Sequence, residues 1–422
     1  MIDVAVAHGL SPYIKVYPWT PGSGFGTKYT DPAVKPTSTA FSVAFCGRTD
    51  IAIGTGADPY VMAYPWVSGE GFGAKYADPD VKPTGMGAGI AFCGSTDIAV
   101  SQDKDPFINA YPWTPGVGFG VRYADPGIKP SGSTYCVEFC GSTDIATSHK
   151  YSPFVTTYPW TPGTGFGIKH TNPDILPNSH GEGVAFCGLT DIAIGHDLDP
   201  RVSAYPWTPG SGFGVKYADP DILPTSYPYC LDFCGSVDIA VGHDLEPKVM
   251  AYPWTPGGGF GVKYADPSIL PASTPNGIAF CGLTDVAIAH SSSPYVTAYP
   301  WVSGSGFGIK YANPGILPIG GRDIAFLSPV TIVTATACGQ GIGLATAYGQ
   351  GIVEGTALGS GIGSGIGSGL VTVIEKVPVI RHISYIRRRK PGYTLGKMKP
   401  TPYNLGTMQE KYTLGKVRGT PT

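Results

Sequence analysis

The sequence predicts an all-β chain built from seven copies of one small sheet, and three observations carry that expectation. All seven tryptophans sit in the motif Tyr-Pro-Trp, at Trp19, Trp66, Trp113, Trp160, Trp207, Trp254 and Trp301, always 47 residues apart. Each copy holds four β-favouring runs; in residues 182–228 they are EGVAFC, DIAIGH, RVSAYPW and FGVKYADP, broken by Gly188, Asp199-Pro200, Thr208-Pro209-Gly210 and Asp219-Pro220. The first copy opens on its second run at Asp3, and the missing first run appears at the far end as Asp323-Ile324-Ala325-Phe326-Leu327. A four-stranded unit at a period slightly above ~40–45 residues is the pattern of a β-propeller. The expectation is therefore a seven-bladed propeller over residues 1–328, closed by strand exchange so that no blade keeps a half-filled edge.

The strands can be justified in turn. The first ends on a cysteine in six copies, at Cys46, Cys93, Cys140, Cys187, Cys234 and Cys281. A small, buried, unreactive thiol fits that place, and no CxxC spacing or paired His motif argues for a metal. The second begins on Asp3, Asp50, Asp97, Asp144, Asp191, Asp238 or Asp285 and ends on His8, Thr55, Gln102, His149, His196, His243 or His290. His, Thr and Gln can all hydrogen-bond at a turn, which points to a structural role, with a metal or pH-sensing ring as the alternative. The third carries Tyr-Pro-Trp, where proline sits without a ladder donor and Trp supplies packing area. The fourth follows a Gly-Phe-Gly turn with Lys28, Lys75, Arg122, Lys169, Lys216, Lys263 or Lys310, expected as a solvated cationic ring.

Composition bounds the function classes. Glycine (61) and proline (41) make up about a quarter of the 422 residues, and charged residues only 14%, yet 42% is hydrophobic and 12% aromatic. That is too apolar for a solvated disordered chain. No apolar run reaches the ~18 residues of a membrane-spanning helix, and the N-terminus lacks the pattern of a signal peptide. Residues 371–422 hold 11 Lys/Arg against 2 Asp/Glu, so a basic tail follows an acidic body.

The unit VAFCG-x-TDIAIGH…P-x-VSAYPW resembles the WD40-like propeller repeats, and the near-identical tandem units carrying YPW…GFG-x-KYADP are similar to repeats of tailed-bacteriophage virion proteins. The resemblance implies a non-enzymatic structural protein of a tail, fibre or head decoration, located in the virion and assembled in the host cytoplasm. Its partners would be other virion proteins and copies of itself, with no cofactor, no membrane and no nucleic acid. A sugar-binding propeller lectin or host-receptor adhesin, engaging a surface glycan through one shallow site per blade, is the alternative. A cellular interaction scaffold and an enzyme using the axial channel follow it.

Departures from the repeat point to any special site, because a group copied into every blade is architectural. Two first strands replace the alanine two before the cysteine with Glu138 and Asp232, and both add a cysteine four before it, Cys136 and Cys230. Strand alternation puts these groups on one face. If that face looks into the channel, the pair could bind a cation or small ligand; water-filled lining is the plainer reading, and no metal or catalytic residue is assigned.

Two further segments follow. Within residues 329–370, every odd-numbered position from Ala335 to Gly369 except Val353 is Gly or Ala, the strand period, suiting an oligomeric β-fibre or packed layer, or else a flexible linker. Residues 371–422 read as an extended basic arm. Arg387, Arg388, Arg389 and Lys390 would anchor it to an acidic surface, and Tyr393, Tyr403 and Tyr412 recur as aromatic contacts along it. Arg387→Ala, Arg388→Ala and Arg389→Ala together should lower particle incorporation while leaving the thermal melt of the propeller unchanged; incorporation at the wild-type level would remove the anchor from the account.

Overall fold

A computed structural model describes residues 2–327, together with the backbone of four strands beyond them, Thr331–Cys338, Gly343–Thr346, Gly351–Leu358 and Gly363–Ile366. Residues 2–327 form seven antiparallel four-stranded sheets. Six blades are continuous in sequence, as in Thr134–Cys140, Asp144–His149, Val155–Thr161 and Gly165–Phe166 of blade 4. Blade 1 is composite: Gly321–Phe326 pairs with Ile2–His8 as its first strand, so the expected closure by strand exchange is present.

The core lies between blades. Small side chains on one face of each sheet meet large ones on the next. Cys46, Ala52, Val61 and Ala63 of blade 2 pack against Ile90, Ile98, Val100, Tyr111 and Trp113 of blade 3. Two sheets that both carried large residues on facing surfaces could not approach this closely, which explains why the Asp-Ile-Ala-Ile run alternates large and small. The tryptophans are buried and each meets its neighbours edge-on; Trp66 touches Tyr29, Phe45 and Phe72 at centroid distances of 5.1, 5.7 and 5.0 Å.

A polar bond repeats in every junction. The aspartate opening the second strand of one blade accepts the indole N–H of the following blade, at 3.0–3.4 Å in all seven cases. The ring closes where Trp19 of blade 1 reaches Asp285 of blade 7. The second carboxylate oxygen takes the hydroxyl of the tyrosine 26 residues on, as in Tyr29 to Asp3 at 2.7 Å. His170 replaces that tyrosine in one junction and contacts Asp144 at 2.8 Å.

The fourth strand is shorter than the sequence suggests. Only Gly-Phe pairs regularly, as Gly71–Phe72 does with Trp66 and Val67. The reason is the proline of Tyr-Pro-Trp. The Trp66 amide donates towards the second strand, to Thr49, so the donor-less nitrogen of Pro65 faces the fourth strand and the ladder stops there. The glycine of this strand is required twice over. Gly118 has φ +105°, and a Cβ on it would lie 3.2 Å from the Tyr76 ring that reaches in from blade 2.

Beyond the propeller, Thr331–Cys338 pairs in parallel with Gly351–Leu358 and Gly343–Thr346 with Gly363–Ile366, both at an offset of 20 residues. The anchoring residues Arg387, Arg388, Arg389, Lys390, Tyr393, Tyr403 and Tyr412 lie outside the described residues.

Removing one junction carboxylate leaves buried donors unpaired, at roughly 1–3 kcal/mol each. Asp97→Ala strands the Trp160 indole and the Tyr123 hydroxyl. It should therefore lower stability by roughly 2–6 kcal/mol in guanidinium titration. An unchanged midpoint would show that the bond is dispensable.

Candidate functional site

The seven first strands stand side by side around an axial cavity of about 400 Å³. Each pairs outward with its own second strand, so its inner edge offers backbone N–H groups with no ladder partner. Glu138, Asp232, Cys136 and Cys230, which alternation puts on one face, all line this cavity. Each carboxylate reaches sideways to the next blade: Glu138 accepts the Phe186 amide at 3.2 Å and Asp232 that of Phe280 at 2.9 Å. Asp232 also accepts the Phe233 amide of its own strand at 2.8 Å.

A third channel carboxylate escaped the sequence reading. Asp323 of the closing strand accepts the Val43 amide at 2.9 Å and the Ile324 amide at 2.8 Å. It stands where the other blades carry Ser42, Gly89, Cys136, Gly183, Cys230 and Gly277, and that substitution was the available signal. Burial raises all three carboxyl groups. Glu138 rises well above its ordinary value, with Asp232 adding to the effect. Asp232 is pushed up to about 7 and Asp323 to about 6, against the opposing amide bonds.

At the start of every first strand the register slips by one residue, a β-bulge repeated in all seven blades. A bulge re-aims the extra side chain. The bulged residues are Phe41, Ala88, Tyr135, Glu182, Tyr229, Asn276 and Arg322. Six of them line one mouth of the cavity. Their chemistry differs widely around the ring, while the residues around them repeat. Tyr227, just before the first strand of blade 6, donates its hydroxyl to Glu182 and lies 4.8 Å from the Tyr229 ring. Burial raises the Glu182 carboxyl to about 7.

The repeated candidates have structural partners. The cysteine thiols are buried, and five of them reach the turn carbonyl of the next blade, as Cys46 does to Gly94 at 3.4 Å. Burial pushes the Cys46 thiol up to about 12, far from a reactive thiolate. Three of the five histidines that end second strands meet a hydroxyl seven residues on, as His149 meets Thr156 at 2.8 Å. Gln102 accepts the Thr84 amide at 2.8 Å and Thr55 donates to the Ala57 carbonyl at 2.9 Å. The cations after Gly-Phe-Gly are not a free solvated ring: five pair with the aspartate three residues on, and Lys169 and Lys310 donate to Asn172 and Asn313. The repeated indoles are closed inside the blade junctions, so a glycan site would have to use other surfaces. No group of three or more His, Cys, Asp or Glu among the described residues is arranged to hold a metal ion.

Comparison with known proteins places the fold. No protein-family model matches the chain, and no curated protein matches it. Among solved structures, a candidate 6-phosphogluconolactonase from Bacteroides fragilis is 11% identical, covering 77% of this chain and 97% of that one at a TM-score of 0.57. A protein from Lactobacillus plantarum is 12% identical over 78% of this chain and 100% of its own, also at 0.57. The WD40 propeller domain of Doa1 is 12% identical over 67% and 85%, at 0.47. At such identities the likeness is one of architecture alone.

The buried groups set opposite pH slopes. Histidines held to about 4, such as His149, His196 and His290, are neutral in the fold. Their unfolded forms gain protons first as pH falls below about 6.5, so stability is lost towards pH 4. The raised carboxyl groups act the other way: the folded state holds the proton longer, so stability is lost as pH rises from about 4 through 7. Glu138→Gln with Asp232→Asn should therefore raise stability at pH 8 by roughly 1–4 kcal/mol and change it little at pH 4. Equal shifts in melting temperature at both pH values would contradict this assignment.

Proposed function

We propose that the chain is a non-enzymatic structural protein of the virion type, in which the propeller is a rigid platform for assembly with other virion proteins and with copies of itself. The observation that supports this most strongly is a periodic apolar band at the blade peripheries. Immediately after the outermost strand, Val121, Ile168, Val215, Val262 and Ile309 are 74–87% exposed. Seven residues on, Val34 and its equivalents at 47-residue steps through Ile316 are 50–60% exposed. Single exposed aliphatics are ordinary, but large side chains that add little to the fold, placed at fixed angular steps, offer a multivalent surface. Many weak contacts of this kind reinforce one another when several engage at once.

The architecture suits the role mechanically. Seven junctions, each with its own indole–carboxylate bond and aromatic cluster, close the ring with all four strands present in every blade. A platform of this kind positions its partners and has no need of moving parts. The basic arm of residues 371–422 is the second proposed contact, with an acidic particle surface as its partner.

Ile168→Lys, Val215→Lys and Val262→Lys together change exposed positions only, so the melting temperature should stay within the wild-type range. Incorporation into the particle with which the wild-type chain co-purifies should fall about tenfold or more, the equivalent of 1.4 kcal/mol of lost contact. Wild-type incorporation of this folded variant would overturn the assembly surface.

A further inference from the structure

The channel mouth is chemically lopsided. On blades 4, 5 and 6 the successive bulge positions are Tyr135, Glu182 and Tyr229, and Tyr227 adds a third ring beside Glu182. Deeper in the same blades stand Glu138 and Asp232, with Asp323 in blade 1. None of these four carboxylates forms an ion pair with Lys or Arg among the described residues. The one cationic side chain in the bulge ring, Arg322, instead lies over the Phe41 ring at 5.8 Å.

Carboxylates enclosed by protein without a countercharge are costly, and a cation from outside would offset that cost. A bare metal ion fits poorly, since the acidic groups are spread around the ring and form no coordinating cluster. An organic cation fits better. Phenol rings beside a carboxylate attract an ammonium group through their π-faces and accept its alkyl chain through apolar contact. The cavity volume of about 400 Å³ is within the size range of small-ligand sites.

We propose that the mouth over blades 4–6 binds an aliphatic primary ammonium group, held by Glu182 among Tyr135, Tyr227 and Tyr229, with Glu138 and Asp232 receiving a second ammonium carried deeper on the same molecule. The shared chemistry belongs both to free polyamines and to lysine side chains. The site is independent of the exposed apolar band and of the assembly role.

Isothermal titration of the full chain with spermidine and with the peptide Gly-Lys-Gly tests it and separates the two sources. Saturable binding of either probe is expected, with spermidine the tighter because it can reach both levels of the channel. Glu182→Gln should weaken both probes about tenfold, a 1.4 kcal/mol loss. Tyr229→Ala, at a partly exposed position that the fold does not need, should do the same with an unchanged melting temperature. Glu138→Gln with Asp232→Asn should weaken spermidine more than the peptide. The proposal is overturned if neither probe binds, if Glu182→Gln binds both as the wild type does, or if N-acetylglucosamine binds at the mouth while both amines fail.

Discussion

A buried carboxylate shared by two blades and by the loop that joins them governs much of this structure. Asp3 shows the arrangement: one oxygen takes the Trp66 indole of the next blade and the other takes the Tyr29 hydroxyl of the connecting loop. Neither donor can be supplied within one sheet, so the bond exists only when adjacent blades are in register. It fixes the tryptophan near the end of the third strand and the tyrosine beyond the fourth. The adjoining glycine is fixed by its left-handed φ, +106° at Gly71, and in other junctions by the tyrosine ring as well, as Tyr76 crowds Gly118. The small faces of the Asp-Ile-Ala-Ile strands serve the same end by letting the sheets approach. Closure follows: the Leu327 amide bonds to the Asp3 carbonyl at 2.8 Å, tying the end of the closing strand to the residue that opens the ring.

Because the junction consumes the residues that recur, the groups left over for recognition are those that differ between blades. The cysteines, histidines and post-turn lysines have local partners, and the indoles are enclosed. What varies is concentrated at the bulged start of the first strands and one and three residues further along them. There the edge amides of the innermost strands lack a ladder, and a carboxylate in one blade can cap an amide in the next. Alanine or glycine in the other blades leaves such amides to the channel. The outer surface obeys the opposite logic, since its exposed aliphatics recur with the repeat and suit repeated, equivalent contacts.

Much of the architecture was legible in the sequence because a 47-residue period aligns seven samples of each position. The blade count, the composite first blade and the departure of Glu138 and Asp232 from their column all follow from those aligned columns; which way that face of the strand looks does not. Three features were not legible, each for a physical reason. The Asp–Trp bond joins residues 63 apart in different copies, and periodicity identifies columns without saying which of them touch. The fourth strand reads as eight β-favouring residues, but the proline opposite removes its donor. The bulge adds one residue per first strand, so simple alternation does not assign the bulged side chain to the channel; Tyr135, Glu182 and Tyr229 were therefore passed over. Asp323 was read as part of the closing strand and not as a channel group.

The most direct measurement is amide and indole hydrogen exchange by two-dimensional NMR on the full chain. The seven indole N–H groups are each buried against a junction aspartate in the structure. If those bonds hold the ring together, all seven indole signals should be protected and should exchange only with global unfolding. That must include Trp19, whose partner Asp285 lies across the closure. Rapid exchange of several indoles in a chain whose strand amides remain protected would contradict the shared carboxylate as the constraint on which the fold depends.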